Sequence, residues 1–247
     1  PMIEVSDSDK IMHRVWRLDD EAIISEINES MSGQNLFIAD GHHRYQVAQE
    51  YRQGKLKRKT NSTGKEDFNY VMTYFTNLDS KELQILPMHR IVTKLPKKLD
   101  FLEKFFRIDK VSSKGDLLIL LAKAGKNEHA FGLYTAQGIQ LLRLKSKALI
   151  EKHIKEGSKD YKSLDAMILK TFVFDRVGLT PEDIIYTKDM KTVTDMVDDG
   201  QADAGLIMNA VKISQLKAIA LNGEKMPPKT TYFYPKVLSG LTVYKMD

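Results

Sequence analysis

The sequence predicts a mixed α/β, or α+β, fold, because stretches typical of helices alternate with short apolar stretches typical of strands. Near the C-terminus, residues 184–187 and 203–209 are expected strands, and residues 191–199 and 212–221 are expected helices. Residues 130–145 place a short turn between two apolar runs, which indicates a hairpin. The alternation favours layered strands and helices joined by right-handed crossovers.

The first hundred residues contain four further predicted elements. Residues 20–31 carry isoleucines on one helical face and acidic residues at the start, which predicts an amphipathic helix. The apolar run 35–39 and the aromatic, β-branched run 68–75 are typical of strands. Residues 42–52 follow a near-helical spacing. Residues 83–92 are expected to be extended and to be interrupted by the proline within them.

Residues 95–98, with a proline followed by two lysines, indicate a boundary. They divide the chain into a first part, residues 1–97, and a second α+β part, residues 98–247. The remaining expected helices are residues 99–108, 116–125 and 163–177. Residues 230–234 are expected to be extended, and residues 240–245 are the remaining expected strand.

The composition excludes several classes of protein. The 247 residues include no cysteine, which rules out disulfides, a thiolate nucleophile and cysteine-based metal sites. No apolar run approaches the roughly 18 residues that a membrane helix needs. We therefore expect a soluble, cytoplasmic protein without a membrane segment.

The formal charge of +5 is local. Residues 52–65 contain six basic side chains and no acidic one, whereas residues 1–51 contain four basic and ten acidic side chains. This distribution excludes a general nucleic-acid-binding surface. The basic stretch fits a solvated loop, and it also fits a contact with phosphate or nucleic acid.

The segment with the most specific chemistry is the predicted strand–turn–helix around Asp40-Gly41-His42-His43-Arg44. The N–H groups of the first helical turn have no partner inside a helix, and with the helix dipole they attract anions. A glycine at 41 lets an anionic group approach the backbone. Arg44 can bind phosphate with two parallel hydrogen bonds, and protonated His42 and His43 add donors.

Asp40 is a candidate to hold magnesium or to accept a proton from a hydroxyl group. The alternative is that the same segment has only a structural role, with an N-cap aspartate, a turn glycine and surface histidines. A zinc site is disfavoured, because adjacent side chains on a helix diverge by about 100°.

The stretch IADGHHRYQVAQEYR, which ends at residue 52, resembles the strand–turn–helix of the ParB/sulfiredoxin superfamily. It resembles more closely the domain of unknown function family one thousand and fifteen. Residues 69–92, 163–179 and 226–241 are similar to further segments of that family, in the same order. Family members are longer at the N-terminus, so we expect this chain to be a C-terminal fragment.

The resemblance implies nucleotide chemistry, since sulfiredoxins and free-serine kinases of this fold bind ATP or ADP at the equivalent turn, and ParB proteins bind CTP. It implies that Gly41, His42, His43 and Arg44 hold phosphates, with Mg²⁺ and ATP or ADP as cofactors. The sulfiredoxin reaction is excluded, because the chain has no cysteine.

The leading hypothesis is nucleotide-dependent phosphoryl transfer to a small hydroxylated metabolite, with Asp40 and His43 as the catalytic candidates. The alternatives are a non-catalytic module that binds a nucleotide, or nucleic acid through residues 52–65, and a scaffold whose active half lies upstream. The sequence leaves the oligomeric state open.

Two other segments carry candidate ligands of the same phosphates. His89 and Arg90 reach that pocket if their strand neighbours the turn; otherwise they form a surface pair. Lys229 can neutralise a phosphate and Thr230 can donate a hydrogen bond to it. The alternative for this second segment is an edge strand bounded by prolines.

Overall fold

The computed structural model describes residues 1–58, 61–96 and 98–246. The chain divides into two compact units. The first unit comprises Pro1–Leu83 and Pro235–Asp247, and the second comprises Gln84–Tyr234. Lys59 of the basic stretch and the predicted boundary at Lys97 lie outside the described residues.

The first unit begins with a hairpin and continues with two helices. Strands β1 (Ile3–Ser6) and β2 (Met12–Val15) pair antiparallel. Helix α1 (Glu21–Met31) begins after Asp20, whose side chain accepts hydrogen bonds from two N–H groups of the first turn. Helix α2 (His42–Arg58) follows. The two predicted helices are therefore confirmed, whereas the hairpin has no counterpart in the prediction.

Three predictions for the first unit are wrong. Residues 35–39 and 68–75 form no strand. The regular structure at the second segment is a short 3-10 helix, Asp67–Asn69. Residues 240–245 form no strand either. Composition favours a strand only where a neighbouring strand pairs with it, and none pairs with these segments in the described part of the chain.

Residues 52–58 of the basic stretch are helical, because α2 continues to Arg58, whereas residues 61–65 form no helix. Lys55, Lys57 and Arg58 lie in the last turn of α2. Cations at this end of a helix are stabilised by the helix dipole. Their charge therefore has a structural explanation that needs no ligand.

The second unit contains a six-stranded antiparallel sheet. Its strand order is β5-β7-β6-β9-β4-β8, and β3 pairs separately with β10. Antiparallel neighbours do not require the right-handed crossovers that the alternation favoured. The strands are β3 (Gln84–Leu86), β4 (His89–Val92), β5 (Phe106–Val111), β6 (Ala130–Thr135), β7 (Gly138–Leu144), β8 (Ile184–Thr187), β9 (Ala204–Ile207) and β10 (Tyr232–Tyr234).

Most of the predicted helices of the second unit are present. The 99–108 prediction is wrong, because a short 3-10 segment, Asp100–Lys104, leads directly into β5. The long predicted helix at 163–177 consists of α6 and α7 joined by a π-helical turn at Lys170–Phe174. The helices are α3 (Lys114–Ala124), α4 (Ala148–His153), α5 (Lys159–Lys162), α6 (Asp165–Leu169), α7 (Asp175–Val177), α8 (Met190–Asp198) and α9 (Ile213–Leu221).

The core of the second unit lies on both faces of the six-stranded sheet. Adjacent residues of a strand point to opposite faces. Leu142 accordingly packs in one cluster with Phe172 of the π-helical turn, and Leu141 packs in another with Leu117 of α3 and Val193 of α8. The sheet is therefore a middle layer between helices, which confirms a mixed α+β fold.

The prolines at 87 and 96 have different structural effects. Pro87 separates β3 from β4, as the sequence predicts. Residue 96 does not mark the boundary between the compact units, because β4 pairs with β8 and β9 inside the second unit. Among the described residues, no helix has both the length and the apolar composition to cross a bilayer.

Gly205 in β9 faces the buried Val193 of α8, and a Cβ added at position 205 would overlap with Val193 Cγ1. We therefore expect Gly205→Ala to lower the free energy of unfolding by about 1–3 kcal/mol. A double-mutant cycle with Val193→Ala should show that the two effects are not additive, because the second change opens space for the first. Gly115→Ala in α3 is the control, since its Cβ would meet only ordinary contacts. Simple additivity in denaturant unfolding would contradict the packing argument.

Candidate functional site

The turn before α2 is built around Gly41 and the carboxylate of Asp40. Gly41 has φ +83°, a conformation that glycine adopts without strain. The helix opens with a bond from Tyr45 N–H to the carbonyl of Gly41, at 2.9 Å. The carboxylate of Asp40 accepts a hydrogen bond from Gly41 N–H at 2.8 Å. The predicted turn and helix are therefore present, although no strand precedes them.

The guanidinium group of Arg44 lies over this turn. A Cβ added at Gly41 would come within 3.1 Å of Arg44 Nη2 and 3.3 Å of Nε. Arg44 Nη2 lies 3.8 Å from Asp40 Oδ2, and both side chains are exposed. A side chain at position 41 would therefore strain the backbone and displace the guanidinium group.

A second cation reaches the turn from the far end of the chain. Lys236 Nζ lies 3.7 Å from Asp40 Oδ2. Lys236 is the last residue of the PPKTTYFYPK segment, and it belongs to the same unit as the DGHHRY segment. Two cations therefore flank one carboxylate in the turn before α2.

The two histidines of the turn differ in exposure. His42 is partly buried at the first position of α2, whereas His43 is exposed. Only the imidazole of His43 is thus fully open to a ligand in solution. The predicted catalytic pair, Asp40 and His43, lies within one short segment.

His89 and Arg90 in β4 are buried and do not form a surface pair. His89 Nδ1 accepts a hydrogen bond from Met208 N–H at 3.1 Å. Burial, reinforced by the charge of Arg90, lowers the pKa of His89 to about 4. The imidazole is therefore neutral at neutral pH and offers no positive charge to a phosphate.

Arg90 holds neighbouring backbone in place. Its guanidinium group donates hydrogen bonds to the carbonyl of Met88 and, at 3.4 Å, to the carbonyl of Lys229, and it lies 5.5 Å from the ring centroid of Tyr186. Burial lowers its pKa to about 10, so the group stays charged at neutral pH. The geometry favours a structural role for Arg90, and its predicted phosphate contact stays a prediction.

The turn around Lys229 and Thr230 is held by hydrogen bonds to its backbone carbonyl groups, from Arg90 and from the hydroxyl of Thr230. Lys229 has φ +55°, which is uncommon for a residue with a side chain. Thr230 is buried, and its hydroxyl donates a 2.5 Å hydrogen bond to the carbonyl of Pro227. A cavity of about 10 Å³ lies beside Arg90 and Thr230, which is room for one water molecule and not for a nucleotide.

The structure thus places the predicted site residues in two groups. The residues of the DGHHR turn lie in the first unit, and His89, Arg90, Lys229 and Thr230 lie in the second. Sequence reasoning missed Lys236, the residue that reaches the turn. The available signal was its place in the specific YFYPK stretch, directly after Pro235.

The donors at the turn do not fit a resident magnesium ion. Asp40 is a single carboxylate, and two cations lie within 4 Å of its Oδ2 atom. Across residues 1–58, 61–96 and 98–246, no group of three histidine, cysteine or acidic side chains could hold a metal. We therefore assign no metal to Asp40.

Comparisons with known proteins return one family and several distant structures. Similar solved structures are a conserved hypothetical protein from Pyrococcus furiosus, with 15% identity and a TM-score of 0.45, and free serine kinase in complex with AMP, with 17% identity and a TM-score of 0.46. The matches cover 86% of this chain and 81% and 78% of those chains, respectively. No curated protein matches. The model of a family described as protein of unknown function (DUF1015) matches residues 1–167, and the chain therefore belongs to the DUF1015 family.

Proposed function

We propose that the chain binds the phosphate groups of a nucleotide at the turn of residues 40–44 and transfers a phosphoryl group to a small hydroxylated metabolite. The convergence of Arg44 and Lys236 on Asp40, in the turn before α2, is the observation that carries the proposal.

Three sources of positive potential support phosphate binding at this point. The first is the N-terminus of α2, a helix of 17 residues whose first-turn N–H groups have no acceptor within the helix. The others are the side chains of Arg44 and Lys236. The carboxylate of Asp40 contacts both side chains, so a phosphate that displaces it takes over charge-assisted contacts with two cations.

The proposed chemistry follows from that exchange. When phosphate oxygens take over the contacts with Arg44 and Lys236, the carboxylate of Asp40 is released beside the reacting group. It can then accept the proton of the acceptor hydroxyl, whose oxygen bonds to the γ-phosphorus of ATP while the bond from that phosphorus to the leaving ADP breaks. Exposed His43 supplies a hydrogen bond to the transferred group. Phosphoryl transfer needs mainly positioning and charge neutralisation, which these residue types provide.

Arg44→Ala is expected to weaken nucleotide binding by roughly tenfold to a hundredfold, because hydrogen bonds to charged groups contribute about 1.5–3 kcal/mol. Isothermal titration with ATP, ADP and CTP measures the change. Arg107→Ala is the matched control, because that arginine is also exposed and also lies near an aspartate, but belongs to β5 of the second unit. The absence of binding to the wild-type chain, or unchanged binding by Arg44→Ala, would refute the proposal.

Asp40→Asn separates binding from catalysis. The substitution keeps an acceptor for Gly41 N–H but removes the proposed base. If nucleotide binding persists and transfer from ATP to hydroxylated metabolites is lost, Asp40 is the base. Binding by the wild-type chain with no transfer to any acceptor would favour the non-catalytic binding module.

A further inference from the structure

The first unit has no buried core. Among its described residues, 1–58, 61–83 and 235–246, no side chain is buried. All the buried apolar residues of the described chain lie in the second unit, from Met88 to Ile219. A folded unit of this size ordinarily buries about 60% of its surface. The apolar side chains of the first unit therefore need a partner.

Helix α1 has an exposed apolar face. Ile23 and Ile27 lie on one face of α1 and are each 44% exposed. The groove along this face is lined only by Ile23, Glu26, Ile27, Ser30 and Met31, all of which belong to α1. An amphipathic helix is stabilised mainly by burial of its apolar face. In the described structure, that face has no opposite wall.

Helix α2 carries an exposed apolar pair beside basic residues. Val47 and Tyr51 lie four residues apart, on one side of the helix, and are 62% and 44% exposed. Lys55 lies one turn after Tyr51, with its ammonium group 5.3 Å from the ring centroid. Tyr51 and Lys55 therefore present an apolar surface and a cation side by side.

The first unit carries both an acidic and a basic segment, so its charges are complementary to each other and not to a partner of a single charge sign. Residues 1–51 hold ten acidic and four basic side chains, and residues 52–65 hold six basic and no acidic ones. A nucleic acid or an anionic membrane would be attracted by the second segment and repelled by the first. A second copy of this chain offers both charges and exposed apolar side chains on α1 and α2.

We propose that the first unit is a homodimer surface, in which α1 of one protomer packs against α2 of its partner. Ile23 and Ile27 then cover Tyr51, and Glu26 pairs with Lys55 at the edge of the contact. A two-fold axis forms the same pairing twice, so a single pair of helices supplies a self-complementary interface. The inference does not depend on nucleotide binding at the turn.

The test is the association state of the full chain by analytical ultracentrifugation. We expect a dimer at about 100 µM, and we expect Glu26→Lys to raise the dissociation constant at least about tenfold, because it places like charges together. The double variant Glu26→Lys/Lys55→Glu should restore the dimer. Both side chains are exposed, so circular dichroism should show an unchanged fold.

Glu103→Lys in the second unit is the matched charge control and should leave the dimer intact. Three results would each overturn the proposal: a wild-type monomer, a dimer insensitive to Glu26→Lys, or a double variant that stays dissociated. Retention of the protein on anionic vesicles or nucleic acid, without a dimer, would assign the surface to that partner instead.

Discussion

Phe172→Ala is expected to lower the free energy of unfolding by about 3–5 kcal/mol, the range for removing a large aromatic side chain from a packed core. Phe172 has no exposed surface. Its ring centroid lies 4.9 Å from that of Phe105, 5.5 Å from that of His153 and 6.4 Å from that of Phe106. The ring therefore fills the space between the π-helical turn and β5.

Urea unfolding, followed by near-ultraviolet circular dichroism, measures this loss. Phe75→Ala removes the same side chain from an exposed position and should change stability by less than about 0.5 kcal/mol. A loss of less than about 1 kcal/mol for Phe172→Ala would show that the site collapses around the missing ring.

Lowering the pH from 7 to 4 is expected to destabilise the second unit by about 3 kcal/mol through His89 alone. The pKa of this imidazole falls from 6.5 to about 4 in the folded protein, chiefly because of burial. Each unit of difference between the folded and unfolded pKa corresponds to about 1.4 kcal/mol. The effect is therefore comparable with the loss of a core side chain.

The direction follows from proton uptake. Between pH 6.5 and about 4, the unfolded chain binds a proton at position 89 and the folded chain does not. Stability contributed by neutral His89 is thus fully present above pH 6.5 and is lost as the pH falls through this window. The hydrogen bond agrees, since Nδ1 can accept from Met208 N–H only while it is unprotonated.

His89→Asn isolates this effect. Asparagine keeps an acceptor for Met208 N–H and does not titrate. Wild type and variant share every other titrating group, including His153, whose pKa burial also lowers. The difference between their unfolding free energies should therefore change by about 3 kcal/mol between pH 7 and pH 4. Parallel pH profiles would assign the acid sensitivity to other groups.

The sequence predicts an element correctly when the features that determine it, such as a cap or a turn, lie within a few residues of each other. The acidic start and isoleucine face predict α1, Gly125 marks the end of α3, and a turn between two apolar runs predicts the β6–β7 hairpin. Residues 35–39 and 68–75 have equally strong strand composition but form no strand. A strand depends on a partner that is distant in the chain, and composition does not report whether that partner is present.

The candidate site likewise combines contacts within one turn, which the sequence predicts, with contacts between distant residues, which it does not. Gly41 and Arg44 act within one turn, so their arrangement is predictable from the motif. Lys236 reaches Asp40 from 196 positions away, and no periodicity distinguishes it from Lys229. Arg90 is likewise unpredictable, because burial of a charged side chain depends on the carbonyl groups and the aromatic ring that the fold places around it.

The pairing of β3 with β10 has a consequence for the organisation of the chain. Gln84 and Tyr234 are register partners in this ladder, and they are also the first and last residues of the second unit. The chain thus enters and leaves that unit at points roughly 5 Å apart. Residues 84–234 have the organisation of an inserted domain, whose ends are already joined side by side. Residues 84–234 can therefore be removed as one piece, and a short linker can join residues 83 and 235 without moving either of them.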